Sequence, residues 1–290
     1  MKIGLQINEF TWPGGPTRLG HDLAAIARTA DGGGFEPIGV MDHLFQIGSL
    51  GPPEHEMLEA YTTLGYLAAH TQRAHLLTVV TGAVYRYPGM IAKIITTLDV
   101  LSGGRAMLGI GAAWNEAEAR ALGIPFPPLA ERFDWLEDTL ELCHRMWRDD
   151  QSPFTGKRFT FERPLNRPQV LSRPRPRIMI GGSGEKKTLR LVAKYADACN
   201  LFPTPDLPRK LDVLKAHCER EKRDYDSIEK TSMFHMDVGD KGQNVGRIID
   251  QLHAFRQRGI TGVIGGVKDV WKIEPLQIIA RDIIPAVKDL

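Results

Sequence analysis

Cysteine is scarce in this chain of 290 residues: Cys143, Cys199 and Cys218 stand far apart and are odd in number. They form neither a disulfide framework nor a metal cluster, which suits a reducing compartment. Charge of one sign is also lacking. The 37 Lys and Arg against 35 Asp and Glu leave a net charge of +2, with no basic run and no zinc-finger spacing. Nucleic acid and membrane surfaces are therefore not expected partners. No apolar run approaches the roughly 18 residues of a membrane helix. The opening "MKIGLQI" reads directly as a strand with no signal peptide before it, so a cytoplasmic protein is expected.

Several catalytic signatures are missing too. No Gly-x-Ser-x-Gly elbow is present, so hydrolase chemistry lacks its usual signal. "HEMLE" at 55–59 stops short of His-Glu-x-x-His because Glu59 stands at the last position, which removes a zinc ligand. "GGSGEK" at 181–186 is neither Gly-x-Gly-x-x-Gly nor a P-loop.

What is present is a rhythm. Strand-like runs ("KIGLQI", "PIGVMDH", "AHLLTVVTG", "RAMLGIG", "RIMIGG", "ACNLF", "TSMFHMDV", "TGVIGG") alternate with helix-like ones. Such alternation implies a parallel sheet with helical crossovers. About eight β/α units fit a closed (β/α)8 TIM-type barrel, with an open doubly wound sheet as the alternative; the count favours the barrel. The whole chain, 1–290, reads as one domain. Residues 151–176, "QSPFTGKRFTFERPLNRPQVLSRPRP", are rich in proline and arginine and read as an insertion before the fifth strand, with pieces that fit a hairpin.

In a barrel the active site lies at the C-terminal ends of the strands. Asp42 and His43 end the second strand there. The His can act as acid or base and the Asp can fix polar groups, although a lone His at a strand end is more often structural. Thr81, Gly82 and Ala83 follow a strand of branched residues, where glycine marks a bulge or a plain terminus. After the fourth strand come Trp114, an apolar wall, and Asn115, an amide that both donates and accepts. Glu116 and Glu118 read as acids or bases, or as complements of a helix dipole. The turn Gly181, Gly182, Ser183, Gly184 opens a helix, so its free N–H groups suit an anion, with Lys186 or Lys187 adding charge; an ordinary βα turn is the bland reading. Residues 44–60, rich in glycine and proline, are expected to line the substrate entrance.

Four blocks in order resemble the luciferase-like superfamily, and within it the branch that uses coenzyme F420: "GVMDHLF" (39–45), "TVVTGAVYRYPGMIAKIITTLDVLSGGRAMLGIGAAW" (78–114), "ERFDWLEDTLELCHRMW" (131–147) and "IMIGGSGEKKTLRLVAKYADACN" (178–200). The resemblance spans nearly the whole chain and thins after about residue 205. It implies a TIM-type barrel holding a deazaflavin in its mouth, with a non-prolyl cis peptide at Gly82–Ala83 behind the ring. It implies that Asp42 and His43 flank the reactive ring, that Asn115 and Trp114 meet its edge, and that Gly181, Gly182, Ser183 and Gly184 cradle its phosphate. Lys186 would meet the acidic tail, and Glu116 is a further catalytic candidate. The function implied is hydride transfer between F420 and a small organic substrate (an alcohol, imine or activated alkene). An FMN-dependent monooxygenase is the alternative, and a protein that holds F420 without turnover is the third reading. A homodimer is expected, as is common in the superfamily.

Overall fold

A computed structural model describes all 290 residues. Strands β1 (Lys2–Ile7), β2 (Ile38–Val40), β3 (Leu76–Thr78), β4 (Thr81–Gly82) and β5 (Met107–Gly111) come first. A two-stranded antiparallel hairpin, β6 (Phe154–Thr155) and β7 (Thr160–Phe161), lies inside the inserted segment. Strands β8 (Arg177–Gly181), β9 (Ala198–Leu201), β10 (Glu229–Met233) and β11 (Gly262–Gly265) follow. The large sheet runs β3-β2-β1-β11-β10-β9-β8-β5-β4, and every pairing in it is parallel. A bridge between Leu76 and Ala106 joins β3 to β5, so the sheet closes on itself. Since β3 and β4 are two halves of one interrupted strand, this is the eight-stranded barrel that the alternation predicts.

The helices that cover it are α1 (Leu19–Gly33), α2 (Ala60–Ala69), α3 (Pro88–Leu101), α4 (Glu116–Ala121), α5 (Leu129–Trp147), α6 (Thr188–Tyr195), α7 (Leu207–Glu221) and α8 (Val245–Gln257), with a last helical run from Glu274 to Val287. Their apolar faces and the outer face of the sheet make one large core. The barrel interior holds a second, small cluster of Leu77, Met107, Met179, Ala198 and Ile264, with Val79 and Val80 packed on it. No helix is long and apolar enough to cross a membrane.

The stretch "TTLDVLSGGR" at 96–105 builds the end of the barrel opposite the strand tips. Arg105 precedes β5 and donates to the carbonyls of Ser102, Ala74, Ala68 and Thr71 and to Thr71 Oγ1. Asp99 accepts from Leu171 N (2.6 Å), Ser172 N (2.9 Å) and Ser172 Oγ (2.5 Å), pinning the insertion to α3. Both side chains satisfy backbone groups that the turns leave open.

The hairpin is fastened in the same way. Asp138 on α5 accepts the N–H groups of Lys157, Arg158 and Phe159, and the neighbouring Glu137 pairs with Lys157, Arg190 and Lys194. A cleft of about 820 Å³ opens at the N-terminal ends of β1 and β10, beside Lys2, Glu229 and Leu290. It is remote from the strand tips where the candidate residues gather.

Candidate active site

The site is built where the third barrel strand breaks. The non-prolyl cis peptide joins Val79 and Val80, not Gly82 and Ala83. Thr81 and Gly82 are already back in register with Ile110 and Gly111 of β5, so the break in the ladder falls before them. Gln6 on β1 donates from Nε2 to the Val79 carbonyl at 2.9 Å. The Val80 side chain lies where residues 111 and 181 would otherwise carry side chains. A β-carbon on Gly111 would stand 3.1 Å from a Val80 methyl, and one on Gly181 would stand 2.9 Å from both. Glycine at the ends of β5 and β8 is thus required by the bulge, and Val79 and Val80 form an apolar floor under the mouth.

Asp42 follows β2 and is buried. Its Oδ2 accepts from Gly82 N (3.1 Å) and Arg86 Nη1 (2.8 Å), whereas its Oδ1 is enclosed without any partner. Burial pushes the carboxyl up from its ordinary value, and the Arg86 guanidinium pulls against that. Arg86 also reaches Glu59 Oε1 at 2.6 Å and lies over the Tyr61 ring. A directed chain of hydroxyls runs behind it. Tyr61 donates to Thr81 Oγ1 at 2.5 Å, Thr81 to Thr78 Oγ1 at 2.5 Å, and Thr78 to the Gly109 carbonyl at 2.9 Å. Thr81 is therefore engaged beneath the mouth, and Ala83 is buried in the short helical turn Ala83–Tyr85.

His43 stands beside Asp42. Its Nδ1 lies 2.8 Å from Glu118 Oε2. Glu118 Oε1 accepts the N–H groups of Leu44 and of Phe45 (2.9 Å), and Oε2 accepts the Tyr85 hydroxyl at 2.9 Å. Burial alone would raise this carboxyl; the bonds from His43, Phe45 and Leu44 outweigh it and hold Glu118 below the usual range. Tyr85 is pushed up by burial and by the Glu118 charge. Trp114, 64% exposed, packs edge-on against the His43 ring with centroids 5.4 Å apart.

Glu116 and Glu118 exchange the importance that the sequence assigns them. Glu116 pairs with Arg120 in solvent, while Glu118 is buried against His43. Residues two apart on a helix point about 200° away from each other, so only one of the pair can face inward. The exit from β5 chooses which one: Ala113 adopts φ +62°, and Asn115 caps α4 by accepting from Glu118 N at 3.4 Å. Only the Oδ1 of Asn115 is engaged by the protein; its NH2 group makes no hydrogen bond within the chain.

At the end of β8, Gly182 sits at φ +113° and donates to the Asn200 carbonyl. The N–H groups of Ser183, Gly184 and Glu185 meet no protein acceptor, although Ser183 Oγ accepts from Phe202 N. Lys186 is exposed and pairs with no carboxylate. Lys187 leans over Phe133, while Glu185 takes Arg209 and Lys210. The loop 44–60 is tied to the mouth, with Gln46 Nε2 on the Asn8 carbonyl, Glu56 N on Thr11 Oγ1 and Glu59 on Arg86.

Comparison with known proteins agrees with the barrel fold. Among characterised relatives, an F420-dependent glucose-6-phosphate dehydrogenase of Nakamurella multipartita is 35% identical over 185 residues, 61% of this chain and 50% of its own length. The chain thus spans about half the length of such relatives. An uncharacterized protein of Mycobacterium tuberculosis is 29% identical over 260 residues, 85% of this chain and 87% of its own. Among solved structures, an F420-dependent secondary alcohol dehydrogenase superposes with a TM-score of 0.81 at 18% identity over 99% of both chains. A monooxygenase from Streptomyces bottropensis superposes at 0.80 with 17% identity, covering 98% of this chain and 99% of that one. At those identities the likeness establishes the barrel. The luciferase-like monooxygenase profile matches residues 1–263, and the chain belongs to that family.

Proposed function

We propose that this chain is a coenzyme F420-dependent oxidoreductase. The observation that carries the reading is the arrangement around Val80: an apolar floor flanked by the unpaired N–H groups of 183–185 on one side and His43 on the other. The residues present fit such a cofactor. The 181–184 turn and Lys186 suit a phosphate with an acidic tail. Val79 and Val80 suit the back of a flat ring, and the enclosed Asp42 Oδ1 and the free amide of Asn115 are polar groups near its edge. When bound, the deazaflavin supplies hydride transfer at C5. The protein orients the ring, covers one face and handles the proton. That relatives bearing F420 in their names share this family supports the same reading.

The substrate is proposed as a small alcohol, imine or activated alkene entering past the 44–60 loop and Trp114. A homodimer in the cytoplasm is part of the proposal, with Tyr87 and Met90 on the exposed start of α3 as apolar surface to cover. The test is titration with F420 and, separately, FMN, followed by fluorescence. Tight F420 binding with weak FMN binding is expected. Preference for FMN would transfer the site to the monooxygenase reading, for which fold relatives exist.

A further inference from the structure

The pairing of His43 with Glu118 assigns which ring nitrogen handles the proton. We propose that Glu118 is a positioning residue that keeps a hydrogen on His43 Nδ1, so that Nε2 alone exchanges a proton with a substrate oxygen. The substrate half of this rests on the proposed oxidoreductase function; the tautomer half does not.

Two of the four groups on Glu118 are backbone N–H groups, which donate only, and both fall on Oε1. The other two, the Tyr85 hydroxyl and His43 Nδ1, meet Oε2. A buried carboxylate surrounded in this way is an acceptor, so Nδ1 carries hydrogen whether the ring is neutral or charged. His43 Nε2 has no protein partner and is not enclosed, so it is the ring's open end. Trp114 fixes the ring plane from the side. The charged and titratable groups around the ring are Glu118 from α4, Tyr85 after β4, and the neighbouring Asp42 with its Arg86.

The chemistry follows from that geometry. In substrate oxidation the alcohol O–H bond breaks and its proton goes to Nε2 of the neutral ring. The carbon's hydrogen would be taken up with its electron pair by a bound oxidised deazaflavin, leaving a carbonyl. In reduction, Nε2–H returns the proton to the carbonyl oxygen as hydride arrives at carbon. Among the proposed substrates, this favours the alcohol–carbonyl pair over an alkene.

The tautomer is read first in cofactor-free, 15N-labelled protein by imidazole nitrogen–proton correlation. The expected wild-type spectrum shows His43 with Nδ1–H and bare Nε2; the reverse would overturn the proposal with no variant needed. Glu118→Gln presents an amide donor to Nδ1 and should invert the tautomer. With F420 bound, it should lower kcat on a secondary alcohol by about 10²–10⁴-fold, shift the pH profile of kcat and leave KM nearly unchanged. Glu118→Asp keeps the acceptor and should recover part of the loss. An unchanged tautomer and kcat in Glu118→Gln would sink the assignment. Failure of wild-type protein to bind F420 would overturn the function instead, so the two are read separately.

Discussion

Val80 occupies the space that a side chain on Gly181 would need: a β-carbon there would meet both valine methyls at 2.9 Å. The bulge on the third barrel strand and the start of the 181–184 turn on the fifth are therefore one mechanical unit. Gly181→Ala should destabilise the protein by about 1–3 kcal/mol through overpacking. Val80→Ala in the same chain should recover much of that loss, because the two sites share one volume. Urea unfolding of the two single variants and the double variant checks it; additive losses would show that the contact is not limiting.

Arg86 is the countercharge of a buried Asp42, with 2.8 Å between Nη1 and Oδ2. Burial opposes the charge of Arg86 itself, and Asp42 and Glu59 hold it in place. Arg86→Met removes one partner and leaves the other buried, which costs about 3–5 kcal/mol when the carboxylate stays ionised. Stability of the variant should therefore fall as pH rises, since the remaining Asp42 resists ionisation. Thermal melts of the variant at pH 5 and pH 8 measure this, and a pH-independent difference from wild type would contradict it.

Glu137 gives the acid limb of the stability profile a definite sign. Burial opposes its charge, but hydrogen bonds from Arg190, Lys157 and Lys194 draw the carboxyl from 4.5 down to about 2. A depressed folded value adds stability that is complete above the unfolded value and is lost as pH falls through the folded one. The window is therefore from about pH 5 down to pH 2. Its cationic partners are 35–52% exposed, so solvent screening limits the contribution to about 1–2 kcal/mol. Glu137→Gln should flatten that limb in melts between pH 2 and 6, and an unchanged slope would exclude the effect.

Arg105 should be a stability residue without a part in turnover. Its five hydrogen bonds close the end of the barrel away from the strand tips. Arg105→Ala leaves four carbonyls short of a donor and should cost about 2–4 kcal/mol. F420 affinity of the folded fraction should stay within about twofold. A selective loss of affinity with normal melting would reverse that assignment.

Glu116→Gln should change turnover by less than about twofold, because its carboxylate pairs with Arg120 in solvent. A large loss in steady-state assays would return Glu116 to the catalytic set and weaken the role given to Glu118.

The sequence by itself determined a parallel β/α sheet and favoured the barrel over an open sheet; closure through the Leu76–Ala106 bridge came from the structure. Eight apolar runs spaced by amphipathic helices leave few other ways to bury both faces of a parallel sheet, and Asp42, His43, Trp114, Asn115 and Gly181–Gly184 all fall at strand ends. Tertiary structure decided what those residues touch. Glu118 over Glu116 depends on the direction in which the chain leaves β5, set at Ala113 in the left-handed region. Thr81 looked available but is engaged by Tyr61 and Thr78, a contact across 20 residues of sequence. The cis bond lies at Val79–Val80 because β4 regains its register with β5 only after it. Local pattern fixes period and burial face; hydrogen-bond partners belong to neighbours that only barrel closure brings together.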